Sequence, residues 1–354
     1  MKKTILTTLN GMTYGIFATI VAGTILKQLG ELIGFEVLAT SINTRLSLLT
    51  GVGIGISMAM SLKLKGLKFI ILSIAGGIST SFVVDFSKPG FYDINAPLSN
   101  NPITVYLVVL LTYIVIEKLF KKEKAYDLFL IPLVGILIAV LNTYIVSYPI
   151  ERLMTLIYFV IEKSLLIEPY TTSALIALIF GVLITVPFVS SAGIAIAVFS
   201  KPYMEGNTMV LIAMGAAVVG TTAQMIGLAY QSRKNNIGSI LSIGLASSMF
   251  QFKNIVKKPV IWLPTLFISF ILGPINYLIF SNSIFKNTPQ GAGMGSSGLV
   301  GQLQTLSVNN YSLMSVLFVV SQIMFPLILI IIIDYLCIKR KIYLESDFNL
   351  ETDL

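Results

Sequence analysis

Apolar stretches of about twenty residues recur along the whole chain, and that is the length an α-helix needs to cross the hydrocarbon core of a bilayer. They lie at 9–29, 38–60, 67–84, 103–119, 127–147, 171–199, 207–229, 259–281 and 311–338, with a weaker stretch at 150–167. The pattern predicts an all-α polytopic membrane protein with about nine or ten transmembrane helices. Of its 354 residues, 55% are hydrophobic and only 11% charged, whereas a soluble domain carries about 25% charged residues. Such a chain cannot cover a soluble surface. A secreted disulfide scaffold, a disordered chain and a nucleic-acid-binding domain are excluded with it. The first stretch is too long and too polar at its start (Thr7, Thr8, Asn10) to be a cleaved signal peptide, and is read as a retained helix.

The chain has no histidine and one cysteine, Cys337. Histidine-based nucleophilic catalysis, histidine metal sites and a phosphohistidine relay are therefore absent from its own chemistry. No catalytic residues, metal ligands or cofactor site are expected, and Cys337 reads as a small apolar core residue. An enzyme acting alone is not expected.

The 24 Lys+Arg exceed the 16 Asp+Glu by eight. In a membrane protein that excess marks cytoplasmic loops. The clusters are Lys2/Lys3, Lys63/Lys65/Lys68, Lys118/Lys121/Lys122/Lys124, Arg233/Lys234, Lys253/Lys257/Lys258 and Lys339/Arg340/Lys341. Placing them inside puts both termini in the cytoplasm of a cell in whose plasma membrane the chain is embedded, with the Asp85–Asn101 loop outside. Parity then requires either that 150–167 crosses, despite Glu162 and Lys163, or that 171–199 enters and returns on one side, broken around Pro187 to Gly193. Residues 1–344 are expected to form one membrane domain, and 345–354 a short acidic tail.

Residues 237–258 read as an amphipathic segment, with Ile237, Ile240, Leu241 and Leu245 at helical spacing and Lys253, Lys257 and Lys258 following. It serves either as a surface helix holding the fold or as part of a gate or a docking face. A faint echo links the small-residue run 51–60 to 191–198; it reads either as a structural repeat or as two close-packing faces.

Polar groups at membrane depth need partners or water, which makes them the first candidates for a site. Ser248, Gln251 and Asn254 form one such group. Gln251 and Asn254 stand three apart, on one helix face, and amides both donate and accept hydrogen bonds, as a hydroxyl-rich ligand requires. The competing reading is a helix cap. Residues 289–302 form the second group. Gly291, Gly293, Gly295 and Gly298 permit backbone shapes that let the loop fold back into the membrane, where Ser296, Ser297 and Gln302 face a ligand. No Lys-Ser/Thr follows the glycines, so this is not a nucleotide loop. Thr222 and Gln224 are further candidates on a small-residue span. The two polar stretches are expected to face each other across a watery cavity.

Ser247-Ser248-Met249-Phe250-Gln251, Asn254, Lys258-Pro259, Trp262-Leu263-Pro264, Gly273-Pro274 and Gly293 to Gln302 together resemble the membrane family related to the sugar-translocating IIC component of the bacterial phosphotransferase system, some of whose members are labelled perfringolysin O regulators. The resemblance implies a helical bundle with re-entrant hairpins, a homodimeric assembly and a carbohydrate ligand. The missing histidine and the terminal position of Cys337 imply that phosphoryl transfer, if coupled, needs separate IIA and IIB proteins. The expected function is a permease for a sugar or similar small polar solute. The alternative is a membrane sensor or regulator with a vestigial transport fold.

Overall fold

The computed structural model describes residues 2–84, 89–93, 102–121, 124, 126–186, 190–280 and 286–350. The chain divides into two compact units, Met1–Ile157 with Phe188–Ala197, and Tyr158–Pro187 with Val198–Leu354.

The first unit is built from α1 (Lys2–Ile16), α2 (Ala22–Ile33), α3 (Asn43–Leu48), α4 (Thr50–Ser61), α5 (Gly66–Ser79), α6 (Pro102–Leu119) and the start of α7 (Asp127–Ile167). A π-helical turn at Phe17–Val21 joins α1 to α2. Two two-residue strands, β1 (Val83–Val84) and β2 (Tyr92–Asp93), pair antiparallel between α5 and α6. α1, α4 and α5 pack on one another through glycine. A Cβ at Gly11 would meet the backbone of Met58, one at Gly15 that of Ile54, and one at Gly51 the Gly76 carbonyl. Gly11/Gly15 and Gly51/Gly55 are each four apart, so each pair clears one helix stripe, and backbones approach where side chains would otherwise hold them off. The small-residue run 51–60 thus has a packing use. Buried polar pairs supplement it: Thr8 with Tyr106 at 3.1 Å, and Asn142 donating to Thr112 at 3.2 Å.

The runs at 127–147 and 150–167 are not separate spans. They form one 41-residue helix, α7, with Pro132 and Pro149 inside it. At ~1.5 Å per residue it is about 62 Å long, twice the ~30 Å hydrocarbon core. Apart from Asp127 at its first position, its charged residues Glu151, Arg152, Glu162 and Lys163 all follow Pro149, so the half before Pro149 is the one fitted to lipid.

The second unit comprises the end of α7, α8 (Pro169–Thr185), the second half of α9 (Ser191–Met204), α10 (Thr208–Gln231), α11 (Ile237–Leu241), α12 (Phe252–Lys257), α13 (Leu263–Phe280), α14 (Pro289–Met294), α15 (Val300–Val308) and α16 (Leu313–Lys339). α10 is its axis, packed by α8, α13, α14 and α16. Val218, Val219 and Ala223 of α10 share a core with Ile268 and Leu272 of α13 and Ile330 of α16. Gly220 lies against the Ala177 backbone and Gly273 against that of Ser173, which brings α10 and α13 tight onto α8.

The chain is thus an all-α polytopic membrane protein. Among the described residues six helices are long and apolar enough to cross a membrane, Thr7–Glu31, Pro102–Leu119, Asp127–Ile167, Thr208–Gln231, Pro259–Ile279 and Leu313–Lys339; Val37–Leu48 and Thr50–Ser61, meeting at 54°, make a seventh if they form one bent span. The expected runs at 67–84 and 171–199 hold the shorter apolar helices α5 and α8. The break expected around Pro187 to Gly193 falls where α8 ends at Thr185 and α9 begins at Ser191, and of it residues 187–189 lie outside the described residues, as does Asp85.

Candidate functional site

All the residues singled out from the sequence fall in the second unit. α14 and α15 form a short helical hairpin. Thr288 caps its first arm by accepting from the Gly291 N–H at 3.1 Å, and Asn287 ties the two arms by donating to the Gly301 carbonyl and to Thr305. The turn between the arms needs glycine. Gly295 has φ 54° and ψ −128°, its N–H to Gly291 and carbonyl to Gly301 hold the arms together, and a Cβ there would strike Thr221 and Thr222. The hairpin tip therefore sits against the middle of α10, a helix long and apolar enough to cross a membrane, and Gly293, Gly295, Ser296 and Ser297 are all buried. Gly298 follows with φ 56°, and Leu299 is also left-handed at φ 56°. The glycines thus serve a hairpin whose tip folds back against α10.

A second turn meets this tip. α11 passes into a π-helical turn, Ser242–Ala246, that ends at the extended Ser247. Carbonyls in a helix's last turn lack helical partners, and the hairpin supplies them: Ser296 Oγ donates to the Gly244 carbonyl at 2.7 Å and Ser297 Oγ to that of Ala246 at 2.8 Å. Ser248, two residues on, is fully buried against the end of α8, where it pairs with Thr185 Oγ1 at 3.0 Å and donates to the Ile184 carbonyl. The hairpin serines thus meet the turn that precedes Ser248 by direct hydrogen bonds to its carbonyls, and not Ser248, Gln251 or Asn254 across a watery cavity.

Gln251 and Asn254 are engaged elsewhere. Gln251 Nε2 donates to Ser232 Oγ and to the Phe348 carbonyl, both at 2.7 Å, while its Oε1 accepts from Asn254 Nδ2 at 2.9 Å. Asn254 also donates to the Asn349 carbonyl at 3.0 Å. The pair shares a face, as its spacing requires, but that face grips the chain's last described residues. Residues 345–348 form a 3₁₀ turn in which Phe348, with Tyr343, is buried beside Ile243, Ile255 and Ile261. Gln224 is likewise saturated. Its Oε1 accepts from Trp262 Nε1 and Thr265 Oγ1, and its Nε2 donates to Ser269 Oγ.

Thr222 and Gln302 differ from these. Gln302 Nε2 donates to Thr222 Oγ1 at 3.1 Å and to Gln322 Oε1 of α16 at 3.4 Å. Gln302 Oε1 and Gln322 Nε2 are buried with no partner. Gln322 also lines, with Val219, Asn276 and Ser321, a cavity of about 10 Å³, room for about one water-sized group. A buried amide atom without a partner costs ~1–3 kcal/mol, so this cluster has unused hydrogen-bonding capacity beside the hairpin tip. Gln322 was missed from the sequence; a lone amide within the apolar run 311–338 was the available signal.

A second polar group also escaped notice. Asp334, buried near the end of α16, accepts from Arg233 at 2.6 Å and from the Tyr343 hydroxyl at 2.8 Å. Arg233 also reaches Glu345 at 2.6 Å, and Lys258 pairs with Asp347 at 2.6 Å. These pairs, with Gln251 and Asn254, clamp the C-terminal segment to α10, α12 and α16. Burial and the Asp334 carboxylate both push the Tyr343 hydroxyl's pKa well up. Among the described residues no group of acidic or cysteine side chains could hold a metal ion.

Apolar spans, a glycine hairpin folded back against the middle of α10 and buried polar residues around it make up this unit of a polytopic membrane protein. The family model described as Phosphotransferase system, EIIC matches residues 6–350, nearly the whole chain, and the chain belongs to that family. It is a sugar-specific permease component of the phosphotransferase system. Neither the curated proteins nor the solved structures searched include a match to it.

Proposed function

We propose that the chain binds and translocates a sugar or a similar small polyol at the hairpin of its second unit, and that Thr222, Gln302 and Gln322 are the residues that read the ligand's hydroxyls. The reading is supported above all by the unpaired Gln302 Oε1 and Gln322 Nε2, one buried acceptor and one buried donor on two side chains that also hydrogen-bond each other. A hydroxyl both donates and accepts, so a single sugar hydroxyl satisfies both. Gly293, Gly295, Ser296, Ser297 and Gly298 shape the hairpin that brings Gln302 there. Ser248, Gln251, Asn254 and Gln224 support it, Ser248 by anchoring the opposing turn and the other three by holding the surrounding elements.

Phosphorylation of the solute is assigned to separate IIA and IIB proteins, because this chain holds no histidine and its one cysteine is on α16. The protein works as a homodimer in the cell membrane, with both termini in the cytoplasm, where the basic loops place them. Movement of the hairpin-bearing elements exposes the site to one side and then the other.

Thermal unfolding of purified protein against a panel of monosaccharides and polyols, with uptake into proteoliposomes, tests this. At least one solute is expected to raise the melting temperature, and Gln302→Leu or Gln322→Leu to abolish both the shift and uptake while the protein still folds. Stabilisation by no polar solute, with uptake unchanged by either substitution, overturns the reading.

A further inference from the structure

A groove of about 550 Å³ runs along the second unit between the start of α13 and the end of α16. Leu178, Val260, Phe267, Ile333, Cys337 and Ile342 are among its lining residues, and every residue that lines it is apolar or proline. One end of it is cationic. Past Cys337 the chain turns at Lys341, with φ 56°, and Ile342 returns so that its N–H reaches the Cys337 carbonyl at 3.0 Å. Lys339, Arg340 and Lys341 are the residues of that turn and are exposed. Val260, at the same end, packs with Cys337 against the core that holds Tyr343 and Phe348.

Their charges are not used up by the fold. Among the described residues, the acids of this region are committed elsewhere: Asp334 and Glu345 to Arg233, and Asp347 to Lys258. Lys339 lies over the Tyr335 ring at 5.9 Å, and among the described residues Arg340 and Lys341 have no carboxylate partner. An apolar slot alone is what any lipid-facing surface offers. A slot bordered by a turn that carries two cations, between its lining residues Cys337 and Ile342, is complementary to a molecule with an apolar chain at one end and an anion at the other.

We propose that this groove is a binding site for one anionic phospholipid, its acyl chain lying between α13 and α16 and its phosphate-bearing headgroup held by Arg340 and Lys341. The lipid braces α13 against α16 at the point where the C-terminal clamp begins. This does not depend on which solute the protein carries.

The full-length protein is purified in neutral detergent and its unfolding followed on adding phosphatidylglycerol or phosphatidylcholine. Phosphatidylglycerol is expected to raise the melting temperature by several degrees more than phosphatidylcholine. Arg340→Gln/Lys341→Gln is expected to weaken phosphatidylglycerol binding by roughly tenfold or more, and Leu266→Trp, which fills the groove, to abolish the preference with both cations intact. Native mass spectrometry of wild-type protein released from mixed nanodiscs gives an independent readout, with retention of one phosphatidylglycerol expected. Equal stabilisation by the two lipids, a preference that survives the double substitution or the tryptophan, or no retained phosphatidylglycerol overturns the proposal.

Discussion

Arg233, just beyond the end of α10, holds the buried carboxylate of Asp334 on α16 at 2.6 Å with one guanidinium nitrogen, while the other nitrogen reaches Glu345 at 2.6 Å. One planar cation thus fastens a helix end, a second helix and the C-terminal segment. Removing one partner of a buried pair leaves an uncompensated charge, which costs ~3–5 kcal/mol; Arg233 is partly exposed, so the low end applies. Arg233→Gln is expected to lower the melting temperature by several degrees in detergent. Arg233→Lys should fall between, because a single ammonium cannot serve two carboxylates in the same fork. An unchanged melting temperature in Arg233→Gln would show that the network carries no stability.

Gln251 makes three hydrogen bonds, one of them to the Phe348 carbonyl. Gln251→Ala leaves that carbonyl and Ser232 Oγ without this donor, at a cost of ~1–3 kcal/mol. Hydrogen exchange across 344–350 is expected to speed up at least tenfold, with exchange in α8 and α13 unaltered. Protection that persists in the variant would mean the amide is dispensable to the clamp.

The Asp347 carboxyl is subject to opposing effects. Burial acts to raise its pKa, but the Leu344 N–H and the Lys258 ammonium outweigh it, and the pKa ends below the ordinary carboxylate value. A depressed folded-state pKa adds stability that is present above the unfolded-state value and is lost as pH falls through the folded one. Acidification below about pH 4 is therefore expected to loosen residues 344–350. In Asp347→Asn this part of the pH response should vanish. A wild-type and variant that respond alike would rule out Asp347 as the titrating group.

Two glycines separate conformational strain from steric clash. Gly206 has φ 73° with nothing near its missing Cβ, whereas Gly295 has φ 54° and abuts Thr221 and Thr222. Gly206→Ala should cost only the left-handed penalty, ~1–2 kcal/mol. Gly295→Ala has to displace backbone as well, and should abolish folded protein or lower its melting temperature by far more. Equal effects would show that the hairpin tip is free to move off α10.

The buried glycine-serine hairpin was legible because alternating glycines in an apolar setting have few other uses. The Gln251/Asn254 face was legible too, since a helix fixes which residues stand together. Its partners were not: the Phe348 and Asn349 carbonyls lie nearly a hundred residues on, and backbone acceptors leave no mark in a sequence. Asp334 and Gln322 were hidden by averaging, since one acid or amide barely lowers the hydropathy of a long apolar helix, although each is costly enough in lipid to need a partner. The runs at 127–147 and 150–167 looked divided because Pro149 and the charges after it resemble a loop; a proline whose clash is absorbed by a local adjustment leaves the helix continuous.

At Gly51 and Gly76 two main chains touch with no room for a methyl group, and Gly11 and Gly15 likewise leave no room for one between α1 and α4. Sliding any of these three helices along another would drive a carbonyl into an α-carbon within one residue's rise. The stack therefore behaves as a welded joint: whatever travels when cargo passes, α1, α4 and α5 must ride or stand still together.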